Sequence, residues 1–589
     1  MNAGRLSLLC VVFVLVLPVA SAGADTFTVT TTADTTNGSC AATCSLRDAV
    51  IAANSSDAAA DVITVPAGTY RLTQGTSLPV GSLTSNNVTI NGEGARSTTI
   101  EGTGSERLIT AGQPLIGVTL TLNGLRLTGG NAALGGFTGA GSGGAVYLQD
   151  GSLNVTRSAI VGNTAVTSGA GIGVAHTTVG GAGTVNVTAS QISGNTVGAA
   201  ASVGTASGGG IFSQYAVNLV NSTVSGNVAQ TTVQAQGGGI AMLGGTLSLV
   251  NTTVAGNAAR GGGTSLGGGI VPVGASTATN TIVAGNVLGT GGADAPSDCS
   301  TAFTGTLANN ISSDASCGFT AANGGKPGTD PQLGTLLDNG GPTDTRKPAL
   351  ASPALNAGTP TGCPGQDQRG VTRPEGTACD IGAVENAPPT IATGAATGVK
   401  TTEAVLTAQV RNPLVQAAVV GFQFGRTTGY GRSVQATGIP AQTTATASAR
   451  VTALTSGAEW HYRPIVVNGD GFALGQDRAF RTLSAGSKPF LKVTGVPKSC
   501  RRSPFGLRLR SKVSGSGVKL RSVRVTLNGK KLRTVTKAGR FRLRINARKL
   551  KAGRKYTLRA RATDSKGRAT AYKKSFKRCK AKKRSRKKR

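Results

Sequence analysis

A tandem repeat between Gly208 and Asn286 is the feature that most limits how this chain can fold. A glycine triplet followed by isoleucine occurs three times, at residues 208–211, 237–240 and 267–270. Each copy is followed by a short β-branched run ending in Gly-Asn, at Asn227, Asn257 and Asn286. The triplets start 29 and 30 residues apart. A fixed period of this length is typical of a solenoid or an array of repeats.

The composition of the repeat predicts strands. Helical repeats need long stripes of Leu, Ala, Glu and Lys, whereas these units contain short β-branched runs interrupted by Gly, Asn and Thr. A four-stranded propeller blade takes about 40 to 45 residues, more than one unit offers. We therefore predict an all-β chain in which each repeat forms one coil of a right-handed parallel β-helix over residues 111–326.

Stacked coils place equivalent residues above one another. The repeat predicts three columns: core isoleucines Ile211, Ile240 and Ile270; a ladder of Asn227, Asn257 and Asn286; and a second ladder of Asn221, Asn251 and Asn280. Amides in such ladders hydrogen-bond along the axis. Glycine at the triplets permits corners that a Cβ would obstruct.

Residues 1–24 have the pattern of a secretory signal peptide. Arg5 precedes an apolar run from Leu6 to Leu17, and the small residues Ala20-Ser21-Ala22 form a candidate cleavage site. The apolar run is too short to span a bilayer. We therefore expect a secreted, extracellular or envelope-associated protein with no transmembrane segment in the mature chain.

The cysteines support this prediction. Eight remain beyond the signal, and an even number in an exported chain favours disulfides over metal ligation. They form four local groups: Cys40 with Cys44, Cys299 with Cys317, Cys363 with Cys379, and Cys500 with Cys579.

Residues 25–110 are predicted to form an N-terminal cap and the first coils. Cys44 to Asn54 has the pattern of a short helix with Leu46, Ala49, Val50 and Ala53 on one face, which would cover the open end of the β-helix. The run Cys44 to Ala49 resembles the Cys-Ser-Leu-Arg-Glu-Ala motif that opens many secreted bacterial β-helix proteins, with Asp48 in place of glutamate. This resemblance implies a secreted β-helix.

Residues 327–386 interrupt the repeat. The segments beginning at Asp330, Asp338, Ser352, Asp367 and Cys379 resemble the choice-of-anchor domain that closes such β-helices, with departures at Asn356 and Val384. The resemblance implies a C-terminal cap between the solenoid and a variable attachment module.

Carboxylates in the cap form the one candidate ion site. Asp367, Asp380 and Glu385 are predicted to gather around Arg369 as a structural ion pair, and a structural calcium ion is the open alternative. No other cofactor is expected.

Two β-sandwiches are predicted after the cap. Residues 387–484 alternate apolar and polar positions and resemble a fibronectin type III domain, with Trp460 and Tyr462 in its core. Residues 487–580 have the pattern of a second, Ig-like sandwich whose Cys500 and Cys579 would join its first and last strands. Residues 581–589 form a basic tail.

The net charge of +36 is concentrated in the last module. Residues 487–589 contain 39 of the 60 Lys and Arg and one acid, Asp564, for a net +38, so the rest of the chain sums to −2. Strand alternation predicts that the arginines share one outer face. The candidate polyanion-binding residues are Arg508, Arg510, Lys519, Arg521, Arg524, Arg542, Arg544, Arg559 and Arg561.

The solenoid contains few residues that could act in catalysis. Parallel β-helices include pectate lyases and polygalacturonases, which need carboxylates that bind calcium or flank the glycosidic bond. Between residues 111 and 290 the chain offers one carboxylate, Asp150, besides Arg126, Arg157, Arg260 and His176. No catalytic residue is therefore predicted. Loop 291–325, whose Asp294, Asp298 and Asp314 supply carboxylates that the coils lack, keeps a polysaccharide-degrading enzyme as the alternative.

We expect a secreted, cell-surface-associated, non-enzymatic β-helix protein, monomeric, with a role in adhesion or glycan binding. Its basic module would bind anionic envelope polymers or glycans electrostatically. Extracellular nucleic acid is a second alternative partner, since it presents the same charge.

Overall fold

The computed structural model describes residues 24–56, 60–81, 87–113, 117–133, 139–175, 183–198, 204–262, 264–289, 294–515 and 517–580. The predicted signal segment up to residue 23, His176 and the basic tail 581–589 lie outside the described residues. Nearly all regular structure in the described residues is β-strand, as the sequence predicts.

The first unit is a parallel β-solenoid of about 7 turns. It contains helix α1 (Leu46–Asn54), a 3-10 turn at Ala321–Asn323, and these strands: β1 (Asp25–Thr28), β2 (Ala60–Val65), β3 (Gly68–Arg71), β4 (Leu78–Val80), β5 (Asn87–Gly92), β6 (Thr98–Glu101), β7 (Ile109–Ala111), β8 (Val118–Asn123), β9 (Arg126–Thr128), β10 (Asn131–Ala132), β11 (Val146–Leu148), β12 (Gly151–Thr156), β13 (Ala159–Val161), β14 (Thr164–Ala165), β15 (Ile172–Val174), β16 (Thr184–Thr188), β17 (Gln191–Ser193), β18 (Thr196–Val197), β19 (Thr205–Ser207), β20 (Ile211–Ser213), β21 (Ala216–Val220), β22 (Thr223–Ser225), β23 (Val228–Gln230), β24 (Gln234–Gln236), β25 (Ile240–Met242), β26 (Leu247–Val250), β27 (Thr253–Ala255), β28 (Ala258–Arg260), β29 (Ile270–Val271), β30 (Thr277–Thr279), β31 (Ile282–Ala284), β32 (Val287–Gly289), β33 (Asp294–Pro296), β34 (Leu307–Ala308) and β35 (Ile311–Ser312).

The rest of the chain is antiparallel. It contains β36 (Leu333–Leu337), β37 (Thr345–Pro348), β38 (Thr390–Thr393), β39 (Ala404–Asn412), β40 (Val419–Gly425), β41 (Arg432–Gln435), β42 (Thr443–Val451), β43 (Glu459–Asn468), β44 (Gly471–Leu474), β45 (Arg478–Arg481), β46 (Phe490–Thr494), β47 (Phe505–Lys512), β48 (Leu520–Leu527), β49 (Lys530–Val535), β50 (Gly539–Ile545), a 3-10 turn at Ala547–Lys549, β51 (Lys555–Asp564) and β52 (Ala569–Lys577).

Four sheets run along the solenoid because each full coil adds one strand to each of them. In strand order they are sheet A (β1-β2-β5-β8-β12-β16-β21-β26-β30-β34), sheet B (β3-β6-β9-β13-β17-β22-β27-β31-β35), sheet C (β10-β14-β18-β23-β28-β32-β33) and sheet D (β4-β7-β11-β15-β20-β25-β29). A small sheet pairs β19 with β24. The pairing is parallel except between β32 and β33.

The predicted isoleucine column is confirmed in sheet D. Ile211 pairs with Ile240, and Ile240 pairs with Ile270, and all three side chains are fully buried. Burying one such side chain contributes about 1.5–3 kcal/mol. Repetition of this inward position in every coil therefore builds a continuous aliphatic core along the rod.

The first asparagine ladder is confirmed at the corner between sheets B and C. The Nδ2 of Asn195 donates to Oδ1 of Asn227 at 2.9 Å, and that of Asn227 donates to Oδ1 of Asn257 at 2.9 Å. The same oxygens also accept the backbone N–H of the preceding asparagine. These fully buried amides satisfy the corner backbone where no strand pairing reaches it.

The second predicted ladder forms at only one of its two steps. Asn221, Asn251 and Asn280 adopt positive φ, and their amides bond mainly to backbone carbonyls outside the repeat. The Nδ2 of Asn221 donates to Gln366 O and that of Asn251 to Asp380 O. Only Asn280 bonds along the axis, to Asn251 Oδ1 at 3.3 Å.

A hydroxyl ladder lies one residue later instead. Its members are Ser158, Ser190, Ser222, Thr252 and Thr281, all buried at the corner between sheets A and B. The backbone N–H of Ser158 donates to Ser190 Oγ, and that of Ser190 donates to Ser222 Oγ. These hydroxyls also donate to the carbonyls at the ends of the preceding strands. They therefore satisfy backbone N–H and C=O groups that have no strand partner at the corner.

Glycine is required at the triplets for two different reasons. Gly237 has φ +61°, a left-handed conformation that costs other residues energy. A Cβ at Gly238 would lie 2.3 Å from the carbonyl oxygen of Ala258. The corner therefore has no room for a side chain.

Helix α1 covers the N-terminal end of the core, as predicted. Leu46, Ala49, Val50 and Ala53 are buried against the first strands. Ser45 and Asp48 form a capping box at its start. Arg47 is buried and donates to both carboxylate oxygens of Asp34, at 2.7 and 3.1 Å.

All four predicted disulfides are present. The Cα atoms are 4.3 Å apart in Cys40–Cys44, 5.0 Å in Cys299–Cys317, 6.6 Å in Cys363–Cys379 and 5.1 Å in Cys500–Cys579. The last pair links the connection between β46 and β47 to the end of β52. At the last coils, Phe303 and Phe319 lie within the core beside Cys299 and Cys317.

Residues 327–386, hereafter the strap, lie along the side of the solenoid, which corrects the prediction of a lid on its end. The backbone N–H of Asp344 donates to Gln191 Oε1, and the backbone N–H of Ala383 donates to Thr253 Oγ1. The side chain of Arg346 donates to Ser225 Oγ at 2.7 Å. Each acceptor is an outward side chain of sheet B. Further along, Ile282 and Ile311 replace these polar residues and pack against Ala354 and Ile381. The strap therefore covers the outward face of sheet B, which is polar in the middle coils and apolar in the last coils.

Both sandwiches have the predicted antiparallel form. The first packs β38-β39-β42 against a sheet of β40, β41, β43, β44 and β45. Trp460 and Tyr462 are in its core, as expected, with 4% and 0% exposure. The second packs β46-β47-β50 against β49-β48-β51-β52. No helix within the described ranges is long and apolar enough to cross a membrane.

Candidate polyanion-binding faces

The last sandwich presents its cations on two opposite faces, whereas the sequence analysis predicted one. Strands β47 and β50 belong to the three-stranded sheet, and β48 and β51 belong to the four-stranded sheet. Alternate residues of every strand point away from the shared core, so the arginines of the two sheets point in opposite directions. We call these the front face (three-stranded sheet) and the back face (four-stranded sheet).

The front face has arginines directly opposite one another across two strands. Arg508 of β47 pairs with Arg542 of β50, and Arg510 pairs with Arg540. Lys492 of β46 pairs with Arg510 from the other side, which extends this row to three cations. Directly opposite side chains have Cβ atoms about 4.5–5.5 Å apart, and like charges there repel.

Gly506 interrupts the cations of the front face. It is exposed, lies opposite Arg544, and a Cβ added to it would have no atom within 4 Å. An open groove of about 480 Å³ lies here, lined by residues 504–508 and 542–544. A second groove of about 380 Å³, lined in part by Lys488, Arg510 and Lys512, lies at the other end of the same sheet.

The back face also has cations directly opposite one another. Arg524 pairs with Arg561, Arg559 with Lys573, and Lys555 with Lys577, whereas Thr526 and Ala571 are uncharged neighbours. Lys519 and Arg521 are exposed at its edge, at the start of β48. All nine predicted cationic residues are thus on the surface or partly exposed, five of them on the back face.

The sandwich offers these cations no carboxylate. Its one acid, Asp564, is buried, and its Oδ2 accepts a 2.8 Å hydrogen bond from Arg568. Although desolvation alone would raise the pKa of Asp564, hydrogen bonds from Arg568 and Lys566 lower it below its usual value. No salt bridge involves a front-face arginine in the part of the chain that the structure describes.

The predicted ion pair in the strap is confirmed for Asp367 only. Of the three carboxylates expected around Arg369, those of Asp380 and Glu385 have other partners, and Asp470 joins instead. Arg369 donates to Asp367 Oδ2 at 2.9 Å and to both carboxylate oxygens of Asp470 at 3.2 Å. Arg373 donates to Glu385 Oε2 at 2.9 Å. Desolvation and the nearby Asp380 raise the pKa of Glu385 to about 7, although Arg373 opposes this shift.

Every carboxylate in this cluster is engaged by protein donors. Asp380 accepts the backbone N–H groups of Asn356 and Asn386, and Glu385 also accepts those of Glu375 and Asp380. Within the described ranges, no three His, Cys, Asp or Glu side chains are grouped so that they could hold a metal ion. The carboxylates of the strap therefore form a network of ion pairs and backbone hydrogen bonds.

The carboxylates of the enzyme alternative lie apart from one another or have structural partners. Asp294 pairs with Arg260 at 2.7 Å. Asp298 occupies the next step of the asparagine ladder, where its Oδ1 accepts Asn286 Nδ2 at 3.0 Å. Asp314 accepts the backbone N–H of Asp298. Asp150 accepts Tyr215 Oη at 2.8 Å in the core region.

The other candidate residues of the solenoid do not gather around Asp150. Arg126 lies on sheet B, and Arg157 is exposed at the corner between sheets A and B. Arg157, like Asn221 two coils later, has positive φ. The described residues thus bring together no catalytic pair from this set.

Sheet A presents an uncharged polar face. Its outward row continues from Thr121 through Asn154, Asn186 and Asn218 to Ser248. The asparagine amides are linked along the axis at 2.9 Å. These partly exposed side chains repeat at the strand spacing of about 4.8 Å.

No protein-family model matches the chain, and no curated protein matches its sequence. Among solved structures, it is similar to the fibronectin(III)-like modules of Clostridium thermocellum CbhA, with 15% identity, 34% of this chain and 100% of that chain covered, and a TM-score of 0.15. It is also similar to chicken CNTN1 FN1-FN3 domains, with 19% identity, 33% and 66% coverage, and a TM-score of 0.18.

A third similar structure comes from a 1.5-MDa bacterial ice-binding adhesin and concerns its retention at the host cell surface, with 16% identity, 33% and 66% coverage, and a TM-score of 0.24. With identities below 25% and TM-scores below 0.5, these similarities carry no argument about function.

Proposed function

We propose that this chain is a secreted, non-enzymatic β-solenoid protein that is held at the cell surface by its last sandwich. The observation that supports this most is the charge of that sandwich: cations cover two opposite faces, and the single carboxylate is already paired with Arg568. Unpaired cations attract polyanions over about 8–10 Å at physiological salt. Teichoic or uronic acid polymers of an envelope are the partners we propose.

The other units have supporting roles in this proposal. The strap, which resembles a choice-of-anchor domain in sequence, joins the solenoid to the first sandwich, which is the spacer. The disulfides are in keeping with an oxidising, extracellular location. The Ig-like assignment of the last sandwich and the signal peptide at residues 1–24 belong to the same proposal.

Sheet A is the surface that we propose for adhesion or glycan binding. The strap covers much of sheet B, whereas the row from Thr121 to Asn218 on sheet A is partly exposed. Its hydroxyl and amide groups donate and accept hydrogen bonds without charge, which suits neutral sugars.

Deletion of residues 487–589 is the test of surface attachment. We expect the full-length protein to remain with washed envelopes at low salt and to dissociate in molar salt, because screening weakens its attraction to anionic polymers. The truncated protein should appear in the medium. A truncated protein that stays on the envelopes to the same extent would contradict the proposal.

A further inference from the structure

The groove at Gly506 distinguishes the front face from a merely basic surface. Outward positions of β47 and β50 are cationic at Arg508, Arg510, Lys512, Arg540, Arg542 and Arg544, and Gly506 is the exception. A glycine in a strand interior costs stability and often marks close approach by a ligand. Here it leaves open space between arginines on both strands.

The arginines around this groove are suited to oxyanions. A guanidinium donates two parallel N–H groups, which match the two terminal oxygens of a carboxylate or phosphodiester. Arg508, Arg542 and Arg544 line the groove together with residues 504–507 and Leu543. Three such groups can therefore meet an anion that enters beside Gly506.

The arginines of the front face also repel one another when no anion lies between them. Arg508–Arg542 and Arg510–Arg540 are like-charge pairs at directly opposite positions, and the only acid of the sandwich is engaged elsewhere. An anion lying between the strands would relieve both repulsions. The back face has like-charge pairs of its own, Arg524–Arg561, Arg559–Lys573 and Lys555–Lys577, so the groove rather than the repulsion distinguishes the front face.

The second groove indicates an elongated ligand. From Gly506 to Lys512, β47 extends about 20 Å at the usual rise of a strand. The arginine pairs lie between the two grooves, so one extended chain along β47 would contact both. Phe505 in the Gly506 groove is buried, whereas Phe490 lines the second groove and is 49% exposed. Bases stack on such rings, so the test of this site includes single-stranded DNA.

We infer that the front face is the specific binding site for an extended polyanion of the envelope, whose carboxylate or phosphodiester groups are held by the arginine guanidinium groups around Gly506. This inference rests on the proposed function and adds the site and the mode of recognition to it. The ligand is bound by geometry as well as by charge. The back face contributes only non-specific attraction.

Charge-preserving variants of the full-length protein test this inference. Front-face variant R508K/R542K/R544K keeps the charge but removes the guanidinium groups, and back-face variant R524K/R559K/R561K is its matched control. Gly506→Leu fills the groove without altering charge, and nothing lies within 4 Å to clash with its Cβ. Binding to poly(glycerol phosphate), polygalacturonate and single-stranded DNA would be measured by titration calorimetry at fixed salt.

For at least one of the two base-free polymers, we expect the front-face variant and Gly506→Leu to bind about tenfold more weakly, equal to about 1.4 kcal/mol. The back-face variant should change by less than about twofold. The polymer that shows the difference identifies the anion as phosphodiester or carboxylate. Circular dichroism melting would verify that each variant is folded.

Equal affinities for front-face and back-face variants with both polymers would overturn the inference, as would a front-face effect confined to DNA. In the first case the proposed surface attachment would still stand, because these variants retain their charge. If wild-type protein bound none of the polymers, the proposed function itself would be contradicted.

Discussion

Asn227→Ala should destabilise the solenoid by about 3–6 kcal/mol. Asn227 Oδ1 accepts the backbone N–H and the Nδ2 of Asn195, and its own Nδ2 donates to Ile192 O at 2.9 Å. Alanine removes a partner from each of these three groups in a fully buried corner, where Asn195 Nδ2 keeps only its bond to Ile160 O. Each unsatisfied buried group costs about 1–3 kcal/mol, and water has no obvious access to the site.

The matched control is Asn221→Ala in the same coil. This change removes one hydrogen bond, from Nδ2 to Gln366 O, and should cost about 1 kcal/mol. Alanine can adopt this positive φ, as Ala189 does with φ +50° at the equivalent corner one coil earlier, at a further cost of about 1 kcal/mol. The total of about 2 kcal/mol stays below that expected for Asn227→Ala. Denaturant unfolding followed by hydrogen exchange of sheet B would give both values. Equal losses for the two variants would contradict the ladder as a main source of stability.

Asp470→Ala should loosen the junction between the strap and the first sandwich, at a cost of about 3–5 kcal/mol. The Asp470 carboxylate is buried and accepts hydrogen bonds from Arg369, Lys347 and the backbone N–H of Ala387. Removing Asp470 leaves Arg369 and Lys347 with one carboxylate fewer between them, and weakening a buried ion pair in this way is costly. Arg369 would retain only Asp367 as a charged partner.

Asp477→Ala is the control within the same sandwich. Its carboxylate accepts from Tyr430 and contacts His461, but its side chain is 32% exposed, so the loss should stay below about 1 kcal/mol. Scanning calorimetry would compare the two variants, and limited proteolysis near residues 386–389 would report opening of the junction. Protection at the junction equal to wild type in Asp470→Ala would show that the buried pair does not hold the units together.

The solenoid was predictable because its period is visible in the sequence. One buried isoleucine and one Gly-Asn per coil predicted the core column and the ladder, including that Ile211, Ile240 and Ile270 lie above one another. The helix at the N-terminal end was predictable because its apolar positions repeat at helical spacing and an open end needs cover.

Residues 327–386 were predicted at the end of the solenoid because the repeat period does not show which outer face of the solenoid another segment covers. Asn221 and Asn251 recur with the repeat, so they were assigned to a ladder, yet they bond to the strap. The sequence does indicate the covered face at positions that depart from the repeat. Ile282 and Ile311 are apolar where earlier coils have Gln191 or Thr223 at outward positions, which indicates a covered face.

The cationic residues were predictable, but their arrangement was not. Alternation shows which arginines point outward, whereas the assignment of each strand to a sheet depends on long-range pairing. Strand β47 pairs with β50, and β48 pairs with β51, so Arg508 and Arg524 end on opposite faces. Gly506 was overlooked because a single glycine in a strand has no distinctive pattern until its neighbours across the sheet are known.

The salt dependence of envelope binding tests the central claim most directly. The full-length protein would be compared with a six-fold variant, R508Q/R510Q/R542Q/R524Q/R559Q/R561Q, on isolated envelopes from about 50 mM to 1 M salt. We predict that the wild-type affinity falls steeply with salt and that the variant binds weakly with a shallower dependence. Equal affinity and equal salt dependence of the two proteins would contradict attachment through the last sandwich.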